Sequence, residues 1–146
     1  MSDKAKLYKY DELWMDQAVR LSLMSHATRK KVGAVLVKDN VRMSDGWNGM
    51  PRGFPNCCEL PDGSTNPLVV HAELNVFLNC LRTGSDSVKG GTIYITLSPC
   101  SGCVSTMIQT EIARVVYLEE YRIPDGIDIL RQAGILVEQF KYEEKI

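Results

Sequence analysis

The sequence predicts an α/β protein built on one mixed five-stranded sheet flanked by helices. Three observations carry that prediction. Two β-rich runs are joined by Asp39-Asn40, a pair suited to a tight hairpin turn. Apolar strand-like runs then alternate with helical patterns through the rest of the chain. The last two strands are connected through a helix, and such crossovers join parallel strands.

The elements follow in order. Tyr10, Leu13, Trp14, Ala18 and Leu21 recur at helical spacing behind Asp11, which reads as an N-cap, and they define a first amphipathic helix. Residues 32–37 are a short apolar, β-branched run and read as a buried strand. The hairpin turn leads into a second strand ending near Trp47. Residues 48–67 are rich in Gly, Pro, Asn, Cys and Asp and lack periodicity. A loop of this length in a compact domain tends to be functional, and its rigid turn residues point to an ordered binding loop.

Residues 71–81 read as a helix with Leu74, Phe77, Leu78 and Leu81 on one face, stopped by Gly84. Residues 92–97 read as strand. Ser98-Pro99 then signals a helix start, with Ser as cap and Pro in the first helical position, running to about residue 110. Residues 114–118 read as strand, 127–133 as helix with Gly134 as its stop, and 135–140 as the final strand. The 146 residues suit one domain, spanning 1–146, with a sizeable core.

Composition narrows the function. The chain is 45% hydrophobic and 24% charged, with a formal net charge of −1. No apolar run is long enough to cross a bilayer, and the start lacks the apolar core of a signal peptide, so a soluble, cytoplasmic protein without a membrane partner is expected. A nucleic-acid binder needs a basic stripe. The densest basic run here is Arg29-Lys30-Lys31, enough for one small phosphate and thin for a polymer. Arg29 and Lys31 are therefore candidate phosphate ligands, and no nucleic-acid partner is expected. The five cysteines of a chain without an export signal are expected to be buried, metal-bound or catalytic rather than paired in disulfides.

The informative constellation is His71-Ala72-Glu73 followed by Pro99-Cys100-Ser101-Gly102-Cys103. One imidazole and two thiolates, from His71, Cys100 and Cys103, make a three-ligand zinc set of the catalytic kind, whose fourth position is left to water. Cys100 and Cys103 share one face of a helical first turn, where the helix dipole favours thiolate. Glu73 sits close enough to reach that water without being a ligand, as a general base and proton shuttle for attack on C4 of a cytosine ring and release of ammonia. The arrangement H-x-E…P-C-x-x-C is a recognised signature of zinc deaminases. A structural site could be closed by Cys57, Cys58 or Cys80, but it leaves Glu73 without a purpose.

Beyond these motifs, Lys31-Val32-Gly33-Ala34-Val35, the segment from Gly46 to Phe54 with Asn56-Cys57-Cys58-Glu59, His71 to Asn75, Thr96 to Cys100 and Ile129 to Ile135 resemble the cytidine deaminase superfamily, and within it the deoxycytidylate (dCMP) deaminases. The resemblance covers residues 22 to 140, approximately. It implies the three-layer α-β-α cytidine-deaminase-like fold and a zinc-dependent deamination of dCMP to dUMP that supplies thymidylate synthesis. It further implies substrate contacts from Asn48 (to the sugar), Ala72 and Tyr121. An effector site for activating dCTP and inhibiting dTTP would include Gly46, Trp47, Gly49 and Arg52, with Mg2+ accompanying the triphosphate. A homo-oligomer, commonly a hexamer, is implied as well. Trp47 stands where the family usually carries Tyr, and the residues before Lys31 lack its usual Asp-Pro pair. A deaminase of dCTP, of another cytosine compound or of tRNA adenosine keeps the same metal chemistry, and a non-catalytic zinc nucleotide sensor is the reading from another class.

Overall fold

The hairpin turn sets the first half of the sheet. Asp39 and Asn40 both adopt left-handed backbone angles, with φ of 51° and 62°, the requirement of the turn that best matches strand twist. In the computed structural model, which describes residues 1–144, this turn joins β1 (Gly33–Lys38) to β2 (Val41–Trp47). Helix α1 (Asp3–Ser22) precedes them. Then follow α2 (Ala72–Thr83), β3 (Thr92–Leu97), α3 (Ser101–Gln109), β4 (Arg114–Glu119), α4 (Asp125–Gln132) and β5 (Leu136–Gln139).

The strand order is β2-β1-β3-β4-β5. Strand β1 pairs antiparallel with both β2 and β3, whereas β3, β4 and β5 pair in parallel. The two sides of the sheet are covered by different helices. Ala34, Leu36, Ile93, Ile95, Val115 and Tyr117 pack with residues of α2, α3 and α4. Their alternates Val35, Val37, Tyr94 and Val116 pack with Trp14, Met15 and Ala18 of α1. The result is three layers, with the central strands apolar on both faces.

Three local expectations are corrected. Helix α1 starts well before Asp11: Ser2 is its cap and accepts a hydrogen bond from the Ala5 N–H at 3.1 Å. Asp11 is instead a buried mid-helix residue, placed there by partners far away in sequence. Its carboxylate accepts from both terminal nitrogens of Arg114 at 2.9 and 2.8 Å and from the Tyr94 hydroxyl at 2.6 Å. The Arg114 Nε donates to Glu138 at 2.7 Å, so one network ties α1 to three strands. Burial, with the Asp11 bond added to it, pushes the Tyr94 hydroxyl well above its usual pKa.

Ser98 does not cap α3 either. Cys100 occupies that position, because Ser98 and Pro99 are buried and finish the strand connection. Third, α2 packs through Ala72, Glu73, Val76, Phe77 and Cys80. Phe77 faces the core as expected, but Leu78 and Leu81 are 50% and 79% exposed. The buried stripe is rotated toward the small and polar side chains that the first turn must present. Gly84 and Gly134 do end their helices, with φ of 70° and 85°.

Replacing Asp11 by Ala takes the carboxylate from both terminal nitrogens of Arg114, whose side chain is only 14% exposed, and leaves Glu138 as its one ion-pair partner. Breaking a buried pair from one side costs about 3–5 kcal/mol. Urea denaturation of Asp11→Ala should therefore show a midpoint lowered by that amount of free energy with an unchanged m-value.

Candidate metal centre and active site

Because β1 alone runs against the other strands, the carboxyl ends of β2, β3 and β4 lie along one edge of the sheet. Helix α2 is reached from the end of β2 through the long loop, and α3 starts directly after β3. The N-termini of α2 and α3 therefore converge at this edge. His71 is the N-cap of α2 and Cys100 the N-cap of α3, both with extended backbone. Neither side chain caps its own helix with a hydrogen bond, so both are available across the gap between the helices. Glu73 and Cys103 follow in the two first turns.

The four groups meet. The Cys100 and Cys103 sulfurs are 3.7 Å apart. His71 Nδ1 lies 3.6 Å from Cys100 Sγ and 3.2 Å from Cys103 Sγ. Glu73 Oε1 is 3.9 Å from His71 Nδ1. All four ligand atoms fall within 4.8 Å of one another, a His/Glu/Cys/Cys cluster able to coordinate zinc. A tetrahedral ion with zinc–sulfur bonds of about 2.3 Å requires a sulfur–sulfur edge of about 3.8 Å, so the donor set fits.

The electrostatics agree. Hydrogen bonds from the Cys103 thiol and the His71 ring hold the Cys100 thiol down at about 4. The bond to Cys100, then that to Glu73, lifts His71 to about 10. Protons shared so closely among donors are those a metal displaces on binding. Glu73 is 3% exposed and His71 is open to the cavity side.

A cavity of about 470 Å³ opens above the cluster. Asn48, His71, Ala72, Glu73, Cys100, Tyr121 and Arg29 all line it, so most of the residues singled out in the sequence are brought together. Asn48 is fixed on both sides of its amide: Oδ1 accepts from the Val32 N–H at 2.9 Å and Nδ2 donates to the Lys30 carbonyl at 2.9 Å. The Tyr121 N–H donates to Ser98 Oγ at 2.6 Å.

Charged residues that are not among the candidate site residues complete the wall. Lys30 and Arg122 line it beside Glu59, Glu119 and Glu120, and Lys30 is paired with Glu119. Glu59 accepts from both the hydroxyl and the N–H of Thr28, at 2.8 and 3.2 Å, and the hydroxyl bond above all holds its carboxyl below the usual range. Lys30 belongs to the basic run and Glu59 to the long loop, whereas Glu119, Glu120 and Arg122 are marked by their place at the end of β4.

Lys31 is exposed and lies outside the cavity lining, as do Gly46, Trp47, Gly49 and Arg52. Gly46 has a packing role: a Cβ there would meet Asn75 Cβ and the Val76 nitrogen at 3.0 Å, so glycine lets β2 approach α2. Cys57 is exposed and Cys58 buried, and all five cysteines are free thiols.

Residues 8–119 match the cytidine and deoxycytidylate deaminase zinc-binding region. The chain is 42% identical to the dCMP deaminase of cyanophage S-TIM5, whose crystal structure holds dCMP and dUMP. That likeness covers 96% of this chain and 99% of the other, with a TM-score of 0.86. It is 36% identical to the deoxycytidylate deaminase of phage T4, covering 73% of this chain and 77% of that one. It is 34% identical to ComE operon protein 2 of Bacillus subtilis, covering 94% and 74%.

Protein purified from zinc-containing medium should carry about one equivalent of the metal. Cys103→Ala should lose most of it by atomic absorption, and full zinc content in a folded variant overturns the donor set.

Proposed function

The chain belongs to the cytidine and deoxycytidylate deaminase zinc-binding family, and we propose that it converts dCMP and water to dUMP and ammonia in a zinc-dependent hydrolysis. The observation that carries this reading is the likeness, over nearly the whole of both chains, to the cyanophage enzyme bound to dCMP and dUMP. The His71, Glu73, Cys100 and Cys103 cluster at the floor of a nucleotide-sized cavity supports it independently.

In this proposal His71 Nδ1 and the sulfurs of Cys100 and Cys103 hold the ion. Bound zinc supplies Lewis acidity and brings a water pKa toward neutrality. Glu73, buried in the first turn of α2, is placed to take a proton from the attacking water and would return protons to the ring N3 and to the departing amino group. The carboxylate would thus move both protons of the water, one to N3, where it stays in the product, and one to the departing ammonia, while C4 exchanges its C–N bond for a C–O bond. Ala72, in the first helical turn, has an N–H without an intrahelical partner, suited to a ring carbonyl. Asn48 retains one amide hydrogen and one lone pair for a sugar hydroxyl. Tyr121 is the aromatic wall. Arg29 is the phosphate ligand carried over from the basic run, with Lys30 and Arg122 beside it. Lys31, exposed outside that lining, contributes long-range attraction only.

We further assign dCTP activation and dTTP inhibition, with Mg2+ on the triphosphate, to the end of β2 and the loop that follows it, which carry Gly46, Trp47, Gly49 and Arg52. The resemblance of that loop to the family supports this assignment. The exposed Leu78 and Leu81 of α2 support a homo-oligomer, with a hexamer as its form. A cytoplasmic setting is part of this reading, supported by cysteines that are unpaired or placed to hold zinc.

Glu73→Gln should retain zinc while losing about 10²–10⁴-fold in kcat for ammonia release from dCMP; an active, zinc-loaded variant removes Glu73 from the proton path. At non-saturating dCMP, dCTP should raise the rate of the unmodified protein and dTTP lower it, and indifference to both abolishes the effector assignment. Arg29→Ala should raise KM for dCMP more than it lowers kcat, the pattern of a lost ground-state contact.

A further inference from the structure

Gly126 sits in the first turn of α4 and is buried. Its φ is not positive, so backbone conformation does not demand glycine there. Space does. A Cβ at this position would lie 2.2 Å from the Pro99 carbonyl oxygen, 3.1 Å from the Pro99 carbonyl carbon and 3.2 Å from the Cys100 carbonyl carbon. All three are backbone atoms, so no rotamer change relieves the overlap. The first turn of α4 is seated directly on the peptide that carries Cys100.

The same segment is strapped to the β3–α3 connection at two further points. The Ser98 N–H donates to the Glu119 carbonyl at 2.8 Å, and Ser98 Oγ accepts from the Tyr121 N–H at 2.6 Å. Residues 119–126 therefore run along residues 98–100, with Glu119, Glu120, Tyr121 and Arg122 forming cavity wall between the attachment points.

We propose that Gly126 and Ser98 are positioning residues for the metal centre, holding the Cys100 sulfur in register with Cys103 and His71 by clamping the 98–100 backbone against the 119–126 segment. This rests on the zinc-centre reading given above. Ligand geometry in a metal site is imposed by what surrounds the ligands, and loss of such support costs about 10–100-fold in metal affinity. Gly126 imposes it sterically and Ser98 through its hydroxyl. Neither touches the reacting atoms.

The test is zinc affinity by competition with a chromophoric chelator, with the absorption spectrum of the cobalt(II)-substituted protein and urea unfolding of the metal-free protein alongside. Gly91→Ala is the control: a Cβ there would also be tight, 3.0 Å from the Val88 carbonyl oxygen, but at the opposite end of β3. Gly126→Ala should weaken zinc by about 10–100-fold and alter the cobalt–thiolate bands, whereas Gly91→Ala loses stability at unchanged zinc affinity. A folded Gly126→Ala with the affinity and cobalt spectrum of the unmodified protein overturns the proposal. If Gly126→Ala does not fold, Ser98→Ala decides, because it cuts the strap without adding volume: weakened zinc supports the proposal and unchanged zinc overturns it. An unmodified protein that binds no zinc overturns the metal-centre reading and this proposal together, which separates that failure from failure of the strap alone.

Discussion

The common direction of β2, β3, β4 and β5 is the constraint on which the rest of this structure depends. With only β1 reversed, each connection from a strand to the following helix emerges on the same edge of the sheet. Ligand sites in α/β sheets lie outside the carboxyl ends of strands for this reason. Here the consequence is specific. The N-termini of α2 and α3 meet, and they bring with them His71, Glu73, Cys100 and Cys103 from positions 29 and 32 residues apart. Helix N-termini also carry partial positive charge, which favours the thiolate that a metal requires.

Polar groups are buried on both sides of the sheet, with different effects. On the α1 side, Asp11, Tyr94, Arg114 and Glu138 saturate one another through side-chain hydrogen bonds. Such a satisfied network fixes how α1 crosses three strands, and it has no opening to a cavity ligand. On the other side, Glu73 is more buried than Asp11 but neighbours His71 and the cavity, with capacity left over. Burial alone therefore does not distinguish a structural carboxylate from a reactive one. The number of partners each has already engaged does.

The cavity wall explains how a chain of net charge −1 can present cations to a small anion. Arg29, Lys30 and Arg122 are drawn from two loops and interleaved with Glu59, Glu119 and Glu120. Mixed charge of this kind can bind one phosphate locally while offering no continuous basic track for a polymer backbone. The bonds from Asn48 to residues 30 and 32 and from Glu59 to Thr28 hold the Arg29–Lys30 segment to the loop after β2, and the Lys30–Glu119 pair joins it to the segment that carries Arg122, so the wall has a defined shape.

How far the sequence could be read depended on the range of the physics involved. Hydrophobic period, turn chemistry and ligand spacing are local, and from them alone the five strands, the Asp39-Asn40 hairpin, the parallel crossover and the four members of the zinc cluster were legible. Asp11 looked like a cap and Ser98 like a helix start because each has the right local neighbours. Tertiary structure decided otherwise, since Arg114 and Tyr94 reach Asp11 from other strands and Tyr121 engages the Ser98 hydroxyl. It also decided which way α2 faces, which basic residues reach the cavity, and why Gly126 has no side chain. Those questions turn on contacts between residues distant in sequence, and no periodicity within one element records which surface it will meet.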